Sequence, residues 1–300
     1  MLSVIICTHN PRPDYFQRCV GGLRIQTLSC QDWELLLVDN RSDEPVADCV
    51  DLSWHPVASV VREETPGLAA ARLRGIRESR GDLLVFVDDD NVLDRDFLEV
   101  ARCTMEKRPF LGSWSGQCRP AFEQPPPEWT RRYSGNLVIR EFDRDTWSNL
   151  PRLPETMPCG AGLCVRRSVA LRYLDLHQSG KRSFQFDRNG TSLLSGGDND
   201  LAACACDVGL SVGLISSLKL THLISPERLT EHYLVRLCEG IFCSAVVLDH
   251  FRSPESGPTS YKIRWHEPVR ALLARGPHRK IQLACLRGRR RGLELVASLS

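Results

Sequence analysis

No apolar stretch in this 300-residue chain is long enough to cross a bilayer, which excludes a membrane-spanning helix. The apolar run Leu2 to Cys7 has no basic region before it and no small-residue cleavage site after it. It reads as a first strand rather than a signal peptide. There is no Gly-x-Gly-x-x-Gly after that strand and no Walker loop, and Gly196-Gly197 is too short to be either. That argues against a dinucleotide-dependent dehydrogenase and a P-loop enzyme. The 13 cysteines include no Cys-x-x-Cys pair. Cys204 and Cys206 fall at i and i+2 of an expected helix, on different faces, and Cys159 and Cys164 lack a second ligand pair. Structural zinc is therefore not expected, and the thiols read as reduced, mostly buried groups of a cytosolic protein. Charge of one sign is also lacking: 39 basic against 37 acidic residues leave a formal net charge of +2. Global charge thus says little about partners. No internal repeat is present.

What is present is a concentration of acid at one point. Asp88, Asp89 and Asp90 directly follow the apolar run Leu83 to Val87. Such a run, bounded by Gly81 and Asp82, predicts a strand buried on both faces of a parallel sheet. Three carboxylates at its carboxyl end repel one another unless a cation relieves them. Ligands of open α/β sheets bind at that edge. Carboxylate oxygens suit Mg2+ or Mn2+, which often clamp phosphates. The edge therefore reads as a metal–diphosphate site, with an acidic turn as the bland alternative.

The first hundred residues alternate strand and helix signals. Strands are expected at Val4 to Cys7, Glu34 to Val38, Ser59 to Arg62 and Leu83 to Val87, and helices at Tyr15 to Leu28, Leu68 to Ser79 and Asp96 to Lys107. This predicts an α/β fold with helices on the faces of a parallel sheet. Residues 120 to 158, broken by Pro125-Pro126-Pro127, read as a loop-rich insertion carrying Trp129, Tyr133 and Trp147. A helix is expected from Asp198 to Asp207, a strand from Leu218 to Leu223, and a long helix from Pro226 to about His250.

From about Lys262 the chain is rich in arginine, with leucines interleaved. The pattern suits a basic amphipathic segment lying on an anionic membrane, or a solvated or packed helical face. Few aromatics and no matching module argue against nucleic-acid binding.

Three further features belong to the same sheet edge. The first strand ends in Thr8-His9-Asn10-Pro11. The second ends in Asp39-Asn40, where an acid suits hydrogen bonds to a base or ribose, or a turn. Arg72 and Arg74 follow Gly67 on a helix, facing either a ligand or solvent. The segments Ser-Val-Ile-Ile-Cys-Thr-His-Asn, Val-Asp-Asn-Arg-Ser, Pro-Gly-Leu-Ala-Ala-Ala-Arg and Leu-Val-Phe-Val-Asp-Asp-Asp-Asn occur in that order. Together they resemble the nucleotide-sugar half of family 2 glycosyltransferases of the GT-A fold. The similarity continues through Cys159-Gly160-Ala161-Gly162, Ser195-Gly196-Gly197-Asp198-Asn199-Asp200-Leu201 and Thr221-His222-Leu223-Ile224-Ser225-Pro226, and covers roughly residues 1 to 245.

The resemblance implies a mixed sheet flanked by helices, with a helical C-terminal extension. It implies a catalytic domain over 1–225, with 1–118 for the nucleotide sugar and 119–225 for the acceptor and base, followed by an extension over 226–300. Thr8, Asn10, Asp39, Arg72, Asp88 and Asp89 would hold the nucleotide sugar. Asp90 and His222 would hold Mn2+ or Mg2+. Asp198 matches the general base. Gly160, Ala161, Gly162 and Asp200, with Trp129 and Trp147, would line the sugar and acceptor pocket. One departure stands out: where the family often has Gly-Gly-Glu-Asp-x-Glu, this chain has Ser-Gly-Gly-Asp-Asn-Asp. Gly197 replaces the first acid, which leaves open whether Asp198 or Asp200 faces the acceptor.

The chemistry is coherent: a cation offsets charge on the leaving diphosphate, and a carboxylate opposite takes the acceptor proton. If no enzyme nucleophile intervenes, the anomeric configuration inverts. The expectation is a metal-dependent inverting transferase, cytoplasmic or peripheral at the inner face of the plasma membrane. It would pass a sugar, with UDP-sugar favoured, to a glycan or lipid-linked acceptor in cell-surface polysaccharide synthesis. The rivals are a degenerate glycan- or partner-binding protein of the same fold and a sugar-phosphate nucleotidyltransferase. The latter would need a Gly-rich basic loop after the first strand, which is not there.

Overall fold

The computed structural model describes residues 1–151, 153–184, 186–190, 192–252, 263–264 and 266–299. The chain forms two compact units. The first is Met1–Ala121, Val138–Ser183 and Asp198–Leu223; the second is Phe122–Leu137, Phe184–Gly197 and Ile224–Ser300.

The first unit is built on a mixed sheet. Its parallel half is β1 (Leu2–Thr8), β2 (Trp33–Asp39), β3 (Ala58–Arg62) and β4 (Leu83–Asp88). The rest comprises β5 (Asn91–Leu93), β6 (Leu111–Phe122), β7 (Thr146–Ser148), β8 (Leu163–Arg166) and β9 (Ser211–Ile224). The order is β3-β2-β1-β4-β8-β6-β9-β5, with β7 beside β9. Strand β8 runs antiparallel to β4, and β5 antiparallel to β9.

Helices α1 (Pro13–Arg24), α2 (Leu68–Glu78), α3 (Phe97–Lys107), α4 (Arg167–Gln178) and α5 (Gly197–Asp207) accompany the sheet. Alternate strand residues feed two separate cores. Leu2, Val4 and Ile6 pack with Phe16 and Leu23 of α1 and Phe97 and Ala101 of α3. Ile5, Leu36 and Phe86 pack with Ile76 of α2, Tyr173 of α4 and Leu201 of α5. With helices on both faces, no strand residue needs to be polar, so β1 and β2 are buried along their whole length. Each such Leu, Ile or Val contributes roughly 1.5–3 kcal/mol on burial. All 13 cysteines are free thiols.

The second unit is mainly helical: α6 (Glu231–Arg252), α7 (His266–Leu273) and α8 (Gly276–Leu299). A 3-10 turn at Pro226–Leu229 precedes α6, so the expected helix start at Pro226 gives way to Glu231. Ile281, Ala284, Gly288, Gly292 and Val296 form one buried stripe along α8. Its glycines bring the backbones together: a Cβ on Gly288 would lie 2.3 Å from the carbonyl oxygen of Glu239 on α6. One face of the expected amphipathic tail is therefore spent on packing against α6. Lys262, the first residue of that tail, lies outside the described residues. No helix among the described residues is long and apolar enough to cross a membrane.

Candidate active site

Parallel pairing aligns the carboxyl ends of three strands. Thr8 stands opposite Asp39 across β1 and β2, and Cys7 opposite Asp88 across β1 and β4. The Thr8 hydroxyl donates to the Asp89 carboxylate, which ties the end of β1 to the acidic loop. Asn10 adopts a left-handed backbone (φ 49°), a conformation Asn tolerates. Its amide donates to Asp43 (3.0 Å) and its carboxamide oxygen accepts the Asp43 N–H (2.9 Å).

Asp39 is buried, and its oxygens accept the N–H of Ser42 (2.8 Å), the N–H of Val46 (3.3 Å) and a guanidinium N–H of Arg62 (2.9 Å). Burial alone would raise its pKa. The Ser42 and Val46 hydrogen bonds and the Arg62 charge outweigh that and hold the carboxyl below the ordinary aspartate value. Asp39 thus organises the loop after β2. Asn40, not singled out from sequence, does the same for the next loop. It donates to the carbonyls of Glu63 and Thr65 (2.7 Å) and accepts the N–H of Gly67 (2.7 Å), fixing the entry to α2. On α2, Arg72 is buried, whereas Arg74 pairs on the surface with Glu78 (2.8 Å).

The acidic loop leads directly into β5, which pairs with β9 so that Asn91 faces His222. The carbonyl of Asp90 accepts the N–H of Leu223 (2.9 Å), and the Asp90 carboxylate lies 3.4 Å from His222 Nε2. Asn91 donates to the other Asp90 oxygen (2.8 Å). The expected metal pair, Asp90 and His222, is thereby brought together. Behind the loop sit Cys19, Cys118 and Cys159. Burial is the main cause that pushes all three thiols up, with the three aspartates adding to it at Cys19, so they wall the acids without adding charge.

Asp198 is the second residue of α5, and its Oδ2 accepts the N–H of Gly160 (2.7 Å). A Cβ on Gly160 would lie 3.0 Å from the Arg72 guanidinium and 3.1 Å from Asp198 Oδ2. Arg72, Gly160 and Asp198 therefore share one junction. Asp200 does not join them. Its side chain is fully buried and takes two hydrogen bonds from Arg182 (2.8 and 3.2 Å). Between the two candidate acids, Asp198 is the half-buried one at the junction, and Asp200 braces α5.

The other expected pocket residues lie elsewhere or are packed. Ala161 is buried in the core, and a Cβ on Gly162 (φ 64°) would strike Phe97 and Leu220. Trp147 pairs with Gly213 near the start of β9, nine residues from His222, about 30 Å along an extended strand. It stacks near Phe110 (5.5 Å) and under Arg108, away from the acidic edge. Trp129 belongs to the second unit, where it packs edge-on against Tyr133.

The departure at Gly197 also has a local cause. Within the second unit Asp187, itself left-handed (φ 75°) and buried, accepts the Gly197 N–H at 2.9 Å. A Cβ on residue 197 would lie 2.0 Å from the Asp187 carboxylate. The carboxylate of Asp187 leaves no room for a side chain at 197.

The family model described as Glycosyl transferase family 2 matches residues 3–170. The chain belongs to glycosyl transferase family 2. An uncharacterized glycosyltransferase of Haemophilus influenzae is 34% identical over 110 residues, which is 36% of this chain and 36% of that protein. The putative teichuronic acid biosynthesis glycosyltransferase TuaG of Bacillus subtilis is 29% identical over 119 residues, 39% of this chain and 46% of that one. The putative glycosyltransferase EpsH of Bacillus subtilis is 27% identical over 100 residues, 33% of this chain. The matched segment thus spans 28% of EpsH and less than half of the other two relatives. Among solved structures, S. aureus TarS 1-349 superposes with a TM-score of 0.53 at 14% identity, covering 99% of this chain and 90% of that one. Its complex with UDP-GlcNAc gives 0.54 at 12% identity, with the same coverage. This likeness shows the fold, GT-A: a mixed sheet flanked by helices.

Proposed function

We propose that the chain is a metal-dependent, inverting glycosyltransferase that moves a sugar from a nucleotide-diphosphate sugar to a hydroxyl of a glycan or lipid-linked acceptor. The observation that carries this reading is the pairing of two acidic groups with distinct surroundings. Asp88, Asp89, Asp90 and His222 gather at the strand ends, and Asp198 stands with Arg72 at Gly160. UDP is the favoured nucleotide, supported by the TarS complexes with UDP and UDP-GlcNAc. Cell-surface polysaccharide synthesis is supported by the likeness to TuaG. The 13 free thiols fit a reducing, cytoplasmic setting.

The carboxylate oxygens of the strand-end aspartates suit Mn2+ or Mg2+, hard ions that take one or two protein carboxylates and complete their shell with substrate phosphates and water. Asp90, with His222 3.4 Å from it, would hold the ion. When bound, it supplies positive charge that offsets the diphosphate.

The residues of the chain perform the rest. The acceptor oxygen attacks the anomeric carbon as the bond to the diphosphate breaks. Asp198 takes the hydroxyl proton, and the nucleoside diphosphate leaves. One displacement inverts the anomeric centre. Arg72 places positive charge beside the junction. The reading is tested by following UDP release from a panel of UDP-sugars with saccharide acceptors. Wild type should turn over at least one donor and Asp198→Asn should not. Tight nucleotide binding without turnover of any donor would favour a degenerate binding protein. Formation of a nucleotide sugar from a sugar phosphate and a nucleoside triphosphate would favour a nucleotidyltransferase.

A further inference from the structure

Among the described residues of the second unit, one apolar helix face stays exposed. Helix α7 is eight residues long. Ala271, only 1% exposed, anchors its inner side, and Glu267 accepts a hydrogen bond from Arg289 of α8 at 2.7 Å. The outer side bears Val269, Leu272 and Leu273, which are 48%, 57% and 76% exposed. Their spacing, i, i+3 and i+4, puts all three on one helix face.

Charge identifies what that face meets. Arg264, Arg270, Arg275 and Arg279 are exposed and make no ion pair among the described residues. By contrast Lys280, Arg287 and Arg289, on α8, are paired with Glu231, Glu239 and Glu267. Acid is scarce here: from 263 to 299 the chain holds only Glu267 and Glu294. An apolar helix face flanked by unpaired arginines complements an anionic lipid surface: leucines enter the acyl boundary while guanidinium groups stay at the headgroups.

We infer that α7 is a membrane-surface anchor, laying Val269, Leu272 and Leu273 into an anionic bilayer with Arg270, Arg275 and their neighbours on the phosphates. The stripe of α8 that could have served this purpose is buried on α6, so the contact is confined to α7 and the adjoining turn. The inference concerns where the protein sits and is independent of the reaction it catalyses.

The test is flotation of the full chain with vesicles of phosphatidylcholine alone and of an equal mixture with phosphatidylglycerol. Wild type should float with the anionic vesicles, less at high salt, and stay behind with the neutral ones. The double variant Leu272→Ser/Leu273→Ser should partition more than about tenfold more weakly. Neutralising Arg270 and Arg275 to Gln should cost about fivefold per charge on anionic vesicles only. Leu150→Ser, which removes an equally exposed leucine of the first unit, should change nothing. The substituted side chains are exposed, so melting temperatures should match wild type, which separates lost binding from lost folding. Flotation unchanged in the leucine double variant would overturn the assignment. So would light scattering that shows a dimer abolished by that variant, with no lipid dependence, since the face would then belong to a second copy.

Discussion

Asp198 and Asp200 stand two residues apart on α5 and meet opposite environments: Asp198 accepts the Gly160 N–H at 2.7 Å in a half-buried position, while Asp200 is sealed against Arg182. Their variants should therefore fail in different ways. Asp198→Asn should keep its fold and lose about 10²–10⁴ in kcat. Asp200→Ala removes the fully buried carboxylate that takes two hydrogen bonds from Arg182, and should cost about 3–5 kcal/mol of stability. Urea unfolding alongside turnover checks both. Equal stability losses would erase the distinction.

Gly160 leaves space for the Arg72 guanidinium and the Asp198 carboxylate, 3.0 and 3.1 Å from where a Cβ would stand. Gly160→Ala should push them aside and lower turnover by at least about tenfold, the effect of roughly 1.4 kcal/mol on a barrier. Steady-state kinetics on the folded variant would measure this. Trp147→Ala, at the far end of β9, should leave the acceptor KM unchanged.

The contact between Gly197 and Asp187 predicts a rescue. Gly197→Ala should destabilise by roughly 1–3 kcal/mol, because its methyl group meets the Asp187 carboxylate. Asp187→Ala in the same chain should relieve the clash, giving a coupling of about 0.5–3 kcal/mol in a double-mutant cycle. Additive losses would show that the two positions do not interact.

Asp39 gives a signed pH dependence. Its folded pKa is depressed, so its stabilisation is present above the ordinary aspartate value, about 4. It is lost as pH falls through the lower folded value. Asp39→Asn should lose roughly 1–3 kcal/mol near neutral pH, from its bonds to Ser42, Val46 and Arg62. The gap to wild type should close in acid. Unfolding midpoints measured across pH would show a constant gap if Asp39 were not ionised in these bonds.

Much of this was legible before the structure. The unbroken apolar runs of β1, β2 and β4 announce strands covered on both sides, and parallel pairing then forces Thr8, Asp39 and Asp88 to one edge. What stayed hidden depends on contacts between residues distant in sequence. Nothing local marks Arg182 as the partner of Asp200 or Asp187 as the neighbour of Gly197, since the loops that carry them have no periodicity. Trp147 looks like a sugar platform in a proline-rich insertion until the register of β7 places it at the other end of β9. The leucines of the tail resemble one amphipathic face, whereas the small residues Ala284, Gly288 and Gly292 decide which side of α8 is buried. Arg62 was within reach, because it ends β3 at the same edge as Asp39.

The proposed function stands on the acidic edge binding a nucleoside diphosphate together with a divalent cation. The most direct measurement is calorimetric titration of UDP, GDP, dTDP and CDP, each with and without Mn2+, into wild type and Asp90→Ala. One nucleotide, UDP, should bind, only with the metal present, and its binding should be lost in the variant. Metal-independent binding, or binding that survives Asp90→Ala unchanged, would contradict it.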